Sequence, residues 1–221
     1  MKEYQIDLER YSLQKFKKNL ESRDMIPSRV ILKDELDTRF SIVELKGITN
    51  LKELIDVLET KEKIEQFSQE TGLTIEYLTL LKREAKSYLS NPVRLDKFPG
   101  IAPEYLDRLG GVGINNSRQL INEARNRKGR EQLSQRTGIP IERLNELIGL
   151  SDLSRAYGVG PVFARMIYDM GIKSIESFIE YSAADLIRVY EEQSRKKADF
   201  GVNEIEFSLI LAKELDIVIE L

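Results

Sequence analysis

The chain has 221 residues and a net charge of −3, with 41% hydrophobic and 32% charged residues, the balance of a folded globular protein of one or two domains. It contains no Cys and no His, which excludes disulfides, thiol nucleophiles, Cys/His zinc sites and imidazole acid–base chemistry. There is no apolar run of membrane-spanning length, no signal-peptide pattern, and no P-loop, GxSxG or paired-carboxylate motif, so a cytoplasmic, non-enzymatic protein without cofactor is expected.

Taken in order, Tyr4-Ile6-Leu8 alternates like a short strand, and Ile217-Ile219-Leu221 does the same at the other end, so a small terminal ribbon is one expectation. Ser12 stands as a helix cap before Leu13, Phe16 and Leu20, which share one helical face. Met25 to Arg29 reads as a connection, and ILKDELDTRF around Asp34 as a continuing helix.

From Ile48 onward the chain repeats itself. A shift of 66 residues sets Asn50 on Asn116, Glu65-Gln66-Phe67-Ser68-Gln69 on Glu131-Gln132-Leu133-Ser134-Gln135, and Thr71-Gly72 on Thr137-Gly138, without a gap. A further shift of 58 sets Gly100, Pro103 and Gly113 on Gly158, Pro161 and Gly171. Asn50, Asn116 and Ser174 fall at one position, each a good helix cap, with Glu53 and Gln119 three residues on to complete a capping box. Helices are expected over about Leu51–Leu58, Ser117–Ala124 and Ile175–Tyr181, and over Lys61–Glu70 and Gly129–Arg136, the last two stopped by Gly72 and Gly138. Pro140 opens the next helix. Lys86 to Arg94, around Asn91-Pro92, is the best linker. The expected fold is all-α, built from three stacked helical repeats at 1–91, 92–150 and 151–221.

The segment LSRAYGVGPVFARMIYDMGI, Leu153 to Ile172, reads as helix, turn Tyr157-Gly158-Val159-Gly160, then a helix led by Pro161. It resembles the helix-hairpin-helix motif, an apolar–Gly–apolar–Gly turn with a small residue, Ala164, in the next turn of helix. FPGIAPEYLDRL is a partial copy, with Gly100 in place but Ala102 and Leu106 where the motif has Gly and a small residue. The repeat pattern as a whole resembles a bacterial family known as domain of unknown function 4332, on PGI at Pro99–Ile101, GVGPVFA at Gly158–Ala164, the Gly-Ile pairs at 113–114 and 171–172, and EQLSQRTGI at Glu131–Ile139. The resemblance implies tandem helix-hairpin-helix-like (SAM/HhH-like) units, in which the hairpin's backbone N–H groups grip nucleic-acid phosphates without reading sequence.

A glycine turn opening a helix directs unpaired N–H groups and the positive helix end at one spot. The expected contacts are therefore Gly100, Gly158, Val159, Gly160 and Val162, helped by Arg155 and Arg165. Residues 118–143 add the most basic stretch, seven cations against three carboxylates, with Arg125, Arg127, Lys128 and Arg130 read as a loop that tracks phosphates. Ser194-Arg195-Lys196-Lys197 reads as a solvated surface insertion, and Tyr157, Tyr168, Tyr181 and Tyr190 as half-buried packing residues. The expectation is weak, sequence-independent binding to DNA or RNA. The net acidity keeps a second reading open, a helical-repeat scaffold that holds a protein partner.

Overall fold

The computed structural model describes residues 4–25, 27–198 and 200–221. It is all-α, as expected. The helices are α1 Leu13–Ser22, α2 Leu36–Leu45, α3 Leu51–Val57, α4 Lys61–Thr71, α5 Ile75–Lys86, α6 Pro103–Gly111, α7 Ser117–Ala124, α8 Arg127–Thr137, α9 Ile141–Leu153, α10 Pro161–Asp169, α11 Ile175–Phe178, α12 Ala183–Ser194 and α13 Val202–Ala212, with 3₁₀ turns at Pro27–Leu32 and Leu95–Lys97. The chain divides into two compact units. One is Ile6–Leu89; the other is Ser90–Leu221 together with the residues up to Gln5.

The division falls inside the segment Lys86–Arg94. The expected repeat boundary at residue 151 falls within α9, which runs on to Leu153. The terminal ribbon is absent. Among the described residues the β pairing consists of two isolated bridges, Ser12 with Asn50 and Arg94 with Asn116. Tyr4 and Asp216 each give a carbonyl to the guanidinium of Arg155.

In the unit of residues 6–89, Ser12 caps α1 by accepting from the Lys15 N–H, and Tyr88 packs edge-on against Tyr11 and Phe16, with Phe40 tilted against Phe16, to form an aromatic core. Glu84 is fully buried and ion-paired to both Arg23 and Arg29. The expected continuous helix through Asp34 is broken. The Lys33 and Asp34 N–H groups bond three residues back, to Val30 and Ile31, and Glu35 turns left-handed at φ 47° before α2 begins. The tight turn therefore persists here without a glycine. Part of the expected connection, Ile26, lies outside the described residues.

The equivalences of sequence have local physical counterparts. Helices α7, α8 and α9 begin 66 residues after α3, α4 and α5. Asn50 and Asn116 cap with nearly the same backbone angles, φ −141° and −142°. Ser68 Oγ donates to the Leu73 carbonyl at 2.6 Å and Ser134 Oγ to that of Ile139 at 2.7 Å. Gly72 and Gly138 end their helices left-handed, φ 74° and 67°. The shared Ser, Thr and Gly positions are thus spent on closing helix ends. Gln119 completes its capping box, whereas Glu53 accepts instead from the Thr49 N–H and hydroxyl. Ser174 completes a box with Ser177. Helix α11 is shorter than expected and stops at Phe178, since Ser182 caps α12 four residues later.

Candidate nucleic-acid interface

Both glycine turns lie in the second unit and are built alike. Gly100 (φ 80°) and Gly158 (φ 75°) supply left-handed angles that side chains resist. Three residues on, Pro103 and Pro161 lead α6 and α10, and neither helix has a side-chain cap, because Ala102 and Gly160 stand at the cap positions. The N–H groups of Val162 and Phe163 are therefore left for an outside acceptor. Val159 is buried and holds the turn by donating to the Ala156 carbonyl at 3.1 Å. Ala164 is fully buried, so the small residue serves close packing, while Val162 stands 69% exposed at the mouth of the turn.

The cations expected around this turn are elsewhere. Arg155 is 2% exposed. Its Nε donates to the Tyr4 carbonyl at 2.9 Å, its Nη2 to that of Asp216 at 2.7 Å, and its Nη1 pairs with Asp152. No surface phosphate reaches it. Asp152 also accepts from the Ile175 N–H at 2.7 Å; burial pushes its carboxyl up against the pull of Arg155 and that N–H. Arg165 turns away from its own hairpin to the partial one. Its Nε donates to the Pro99 carbonyl at 3.0 Å, and it pairs with Glu146 at 2.7 Å and Asp169 at 3.2 Å. Arg143 pairs with the same Glu146 at 2.9 Å. Tyr105, Arg143 and Glu146 line a cleft of about 150 Å³ against the turn Gly100-Ile101-Ala102.

The basic segment is no free loop either. Asn126 caps α8 by accepting from the Gly129 N–H at 2.8 Å, so Arg127 and Lys128 already belong to the helix. Arg130 is buried; its Nη1 donates to the Ala124 and Arg125 carbonyls, both at 3.3 Å, closing the end of α7. Burial lowers its pKa. Arg127 is exposed and pairs with Glu131 at 2.9 Å. Arg125 and Lys128 are exposed. Of the expected contacts, Gly100, Gly158, Gly160, Val162, Arg125, Arg127 and Lys128 remain at the surface or at a turn, whereas Arg155, Arg130 and Val159 are interior.

Tyr157 packs edge-on against Phe207, and Tyr190 leans on Phe200, which also meets Phe163 at 5.2 Å. Sequence reading missed that the segment after Lys196-Lys197 returns to the start of α10 in this way; the only signal was Phe200 itself, which no periodicity marks. No described group of carboxylates is placed to hold a metal ion, and no described helix is long and apolar enough to cross a membrane.

No curated protein and no solved structure matches the chain. The family model described as Domain of unknown function (DUF4332) matches residues 99–202, which hold both glycine turns and end on the first residue of α13.

Proposed function

We propose that the second unit binds nucleic-acid backbones without sequence preference, as a tandem helix-hairpin-helix-like repeat. The observation that carries this reading is the pair of like-built turns, each a left-handed glycine followed by an uncapped, proline-led helix start. Such a start holds a phosphate through backbone N–H groups and the helix dipole. Arg125, Arg127 and Lys128 supply exposed charge on the same unit, and Arg143 stands beside the first turn. The set is small, so affinity is weak and falls steeply with salt. The test is fluorescence anisotropy of labelled single- and double-stranded DNA and RNA from low to physiological salt. Binding that is lost both with Gly160→Asp and with Arg127/Lys128→Ala supports the reading, and absence of binding at low salt ends it.

A second reading has its own observation. Arg155, Arg130 and Arg165 are all engaged with partners inside the unit, which leaves an acidic helical protein whose surface suits a protein partner. Affinity capture of a stoichiometric protein partner, with no nucleic-acid binding at low salt, would favour that scaffold reading.

A further inference from the structure

The second unit includes residues that reach it from far away in sequence, Tyr4 and Gln5 among the described ones. The chain then forms the other unit over Ile6–Leu89 and returns at Ser90. Tyr4 sits in a socket made by other segments of the second unit. Its hydroxyl shares a 2.6 Å hydrogen bond with Ser117 Oγ. Its carbonyl accepts from Arg155 Nε at 2.9 Å, and its ring lies 4.9 Å from the Arg118 guanidinium and 5.7 Å from that of Arg155. Gln5 Nε2 donates to the Ser90 carbonyl at 2.7 Å.

The socket has a shape of its own. Ser117 Oγ also accepts from the Val93 N–H at 2.9 Å, and Arg155 is anchored by Asp152 and Asp216 as well as by Tyr4. A buried aromatic anchor, a paired phenol and a main-chain carbonyl held by a guanidinium are the contacts by which proteins recognise short extended peptides. The strap that supplies them continues into a unit with its own aromatic core.

We propose that this socket is a recognition site for a short tyrosine-bearing segment, filled here by Tyr4-Gln5, and that the same segment of a second copy fills it by exchange. Exchange of an identical element is a low-cost route to a dimer. The proposal is independent of the nucleic-acid reading.

The test uses the full chain with Tyr4→Ala, whose socket is empty, and a labelled peptide of residues 1–8. The peptide should bind this variant at least about tenfold more tightly than the wild type, whose own strap competes at high effective concentration. The same peptide with Phe for Tyr should bind about tenfold more weakly, for loss of the buried hydroxyl pair. Mixing Tyr4→Ala with a Ser117→Ala/Arg118→Ala chain, which keeps the strap but lacks the socket, should yield heterodimers in mass photometry that neither variant forms alone. A Tyr4→Ala chain that is folded by circular dichroism and binds no peptide overturns the proposal, and so does peptide binding without heterodimers. Should Tyr4→Ala fail to fold, Tyr4→Phe keeps the ring and weakens the strap, and failure of the peptide to displace that strap is equally fatal.

Discussion

Replacing Gly160 with Asp separates the fold of the Gly158–Gly160 turn from its proposed use. Gly160 stands at the cap of α10 with φ −75° and ψ 175°, angles open to any L residue, and a Cβ there would meet nothing within 4 Å. An Asp carboxylate at this position accepts from the N–H of Val162 or Phe163. Asp is a better cap than Gly by a few tenths of a kcal/mol, removal of glycine's unfolded-state freedom contributes about 0.4–1 kcal/mol, and a negative charge at a helix start about 0.3–1 kcal/mol. These overlap, so the gain is about 1 kcal/mol, or a Tm rise of roughly 2–4 °C in a chain of this size. A bound phosphate fares oppositely. It loses a charged-acceptor hydrogen bond of about 1.5–3 kcal/mol and meets a like charge worth about 1 kcal/mol even at the dielectric of water. Affinity should fall by about 100-fold. Calorimetric melting and anisotropy on the same sample check both halves. A Tm that drops by several degrees would refute the reading of the turn, and unchanged affinity would refute its role in binding.

Other perturbations probe the fold. Gly129→Ala would put a Cβ 2.4 Å from the Glu123 carbonyl and 3.2 Å from Ala124 Cα, so urea melts should show a loss of about 1–3 kcal/mol, while Gly111→Ala, with nothing within 4 Å, should be neutral or stabilising. Glu84→Ala strands Arg23 and Arg29 beside an emptied interior site and should cost about 3–5 kcal/mol, read as early unfolding of residues 6–89 in hydrogen exchange. Arg155→Met should cost a similar amount by leaving Asp152 buried without its cation, and should weaken protection of the C-terminal segment around Asp216. Burial raises the Tyr4 pKa above its ordinary value near 10, against the hydrogen bond from Ser117. Its contribution to stability is therefore fully present below about pH 10 and is lost as pH rises through the higher folded value. Comparing alkaline melts of wild type and Tyr4→Phe should show that extra loss in the wild type alone.

Local chemistry was legible from the sequence wherever one residue acts on its neighbours. Ser12, Asn50, Asn116 and Ser174 cap helices because their side chains reach an N–H three residues on, and Gly72 and Gly138 end helices because only a left-handed residue closes them cheaply there. The glycine turns at Gly100 and Gly158 were visible for the same reason. What the sequence could not carry was the direction of long cations. Arg155 and Arg165 flank the Gly158–Gly160 turn in the chain, yet one is drawn into the interior by Asp152 and two carbonyls, and the other crosses to Pro99 and Glu146. Arg130 sits in the densest basic run and is nonetheless buried on the end of α7. The terminal segments show the same limit. Alternation at Tyr4-Ile6-Leu8 marks three buried residues, whereas at the other end the adjacent Val218 and Ile219 are buried and Leu221 is exposed; the backbone at Tyr4 and Asp216 is held by a guanidinium and that at Glu220 by the Arg125 carbonyl. Caps, stops and turns are decided within a few residues along the chain; partners for a buried charge are decided by whichever carbonyls and carboxylates tertiary packing brings within about 3 Å, and only the folded chain settles that choice.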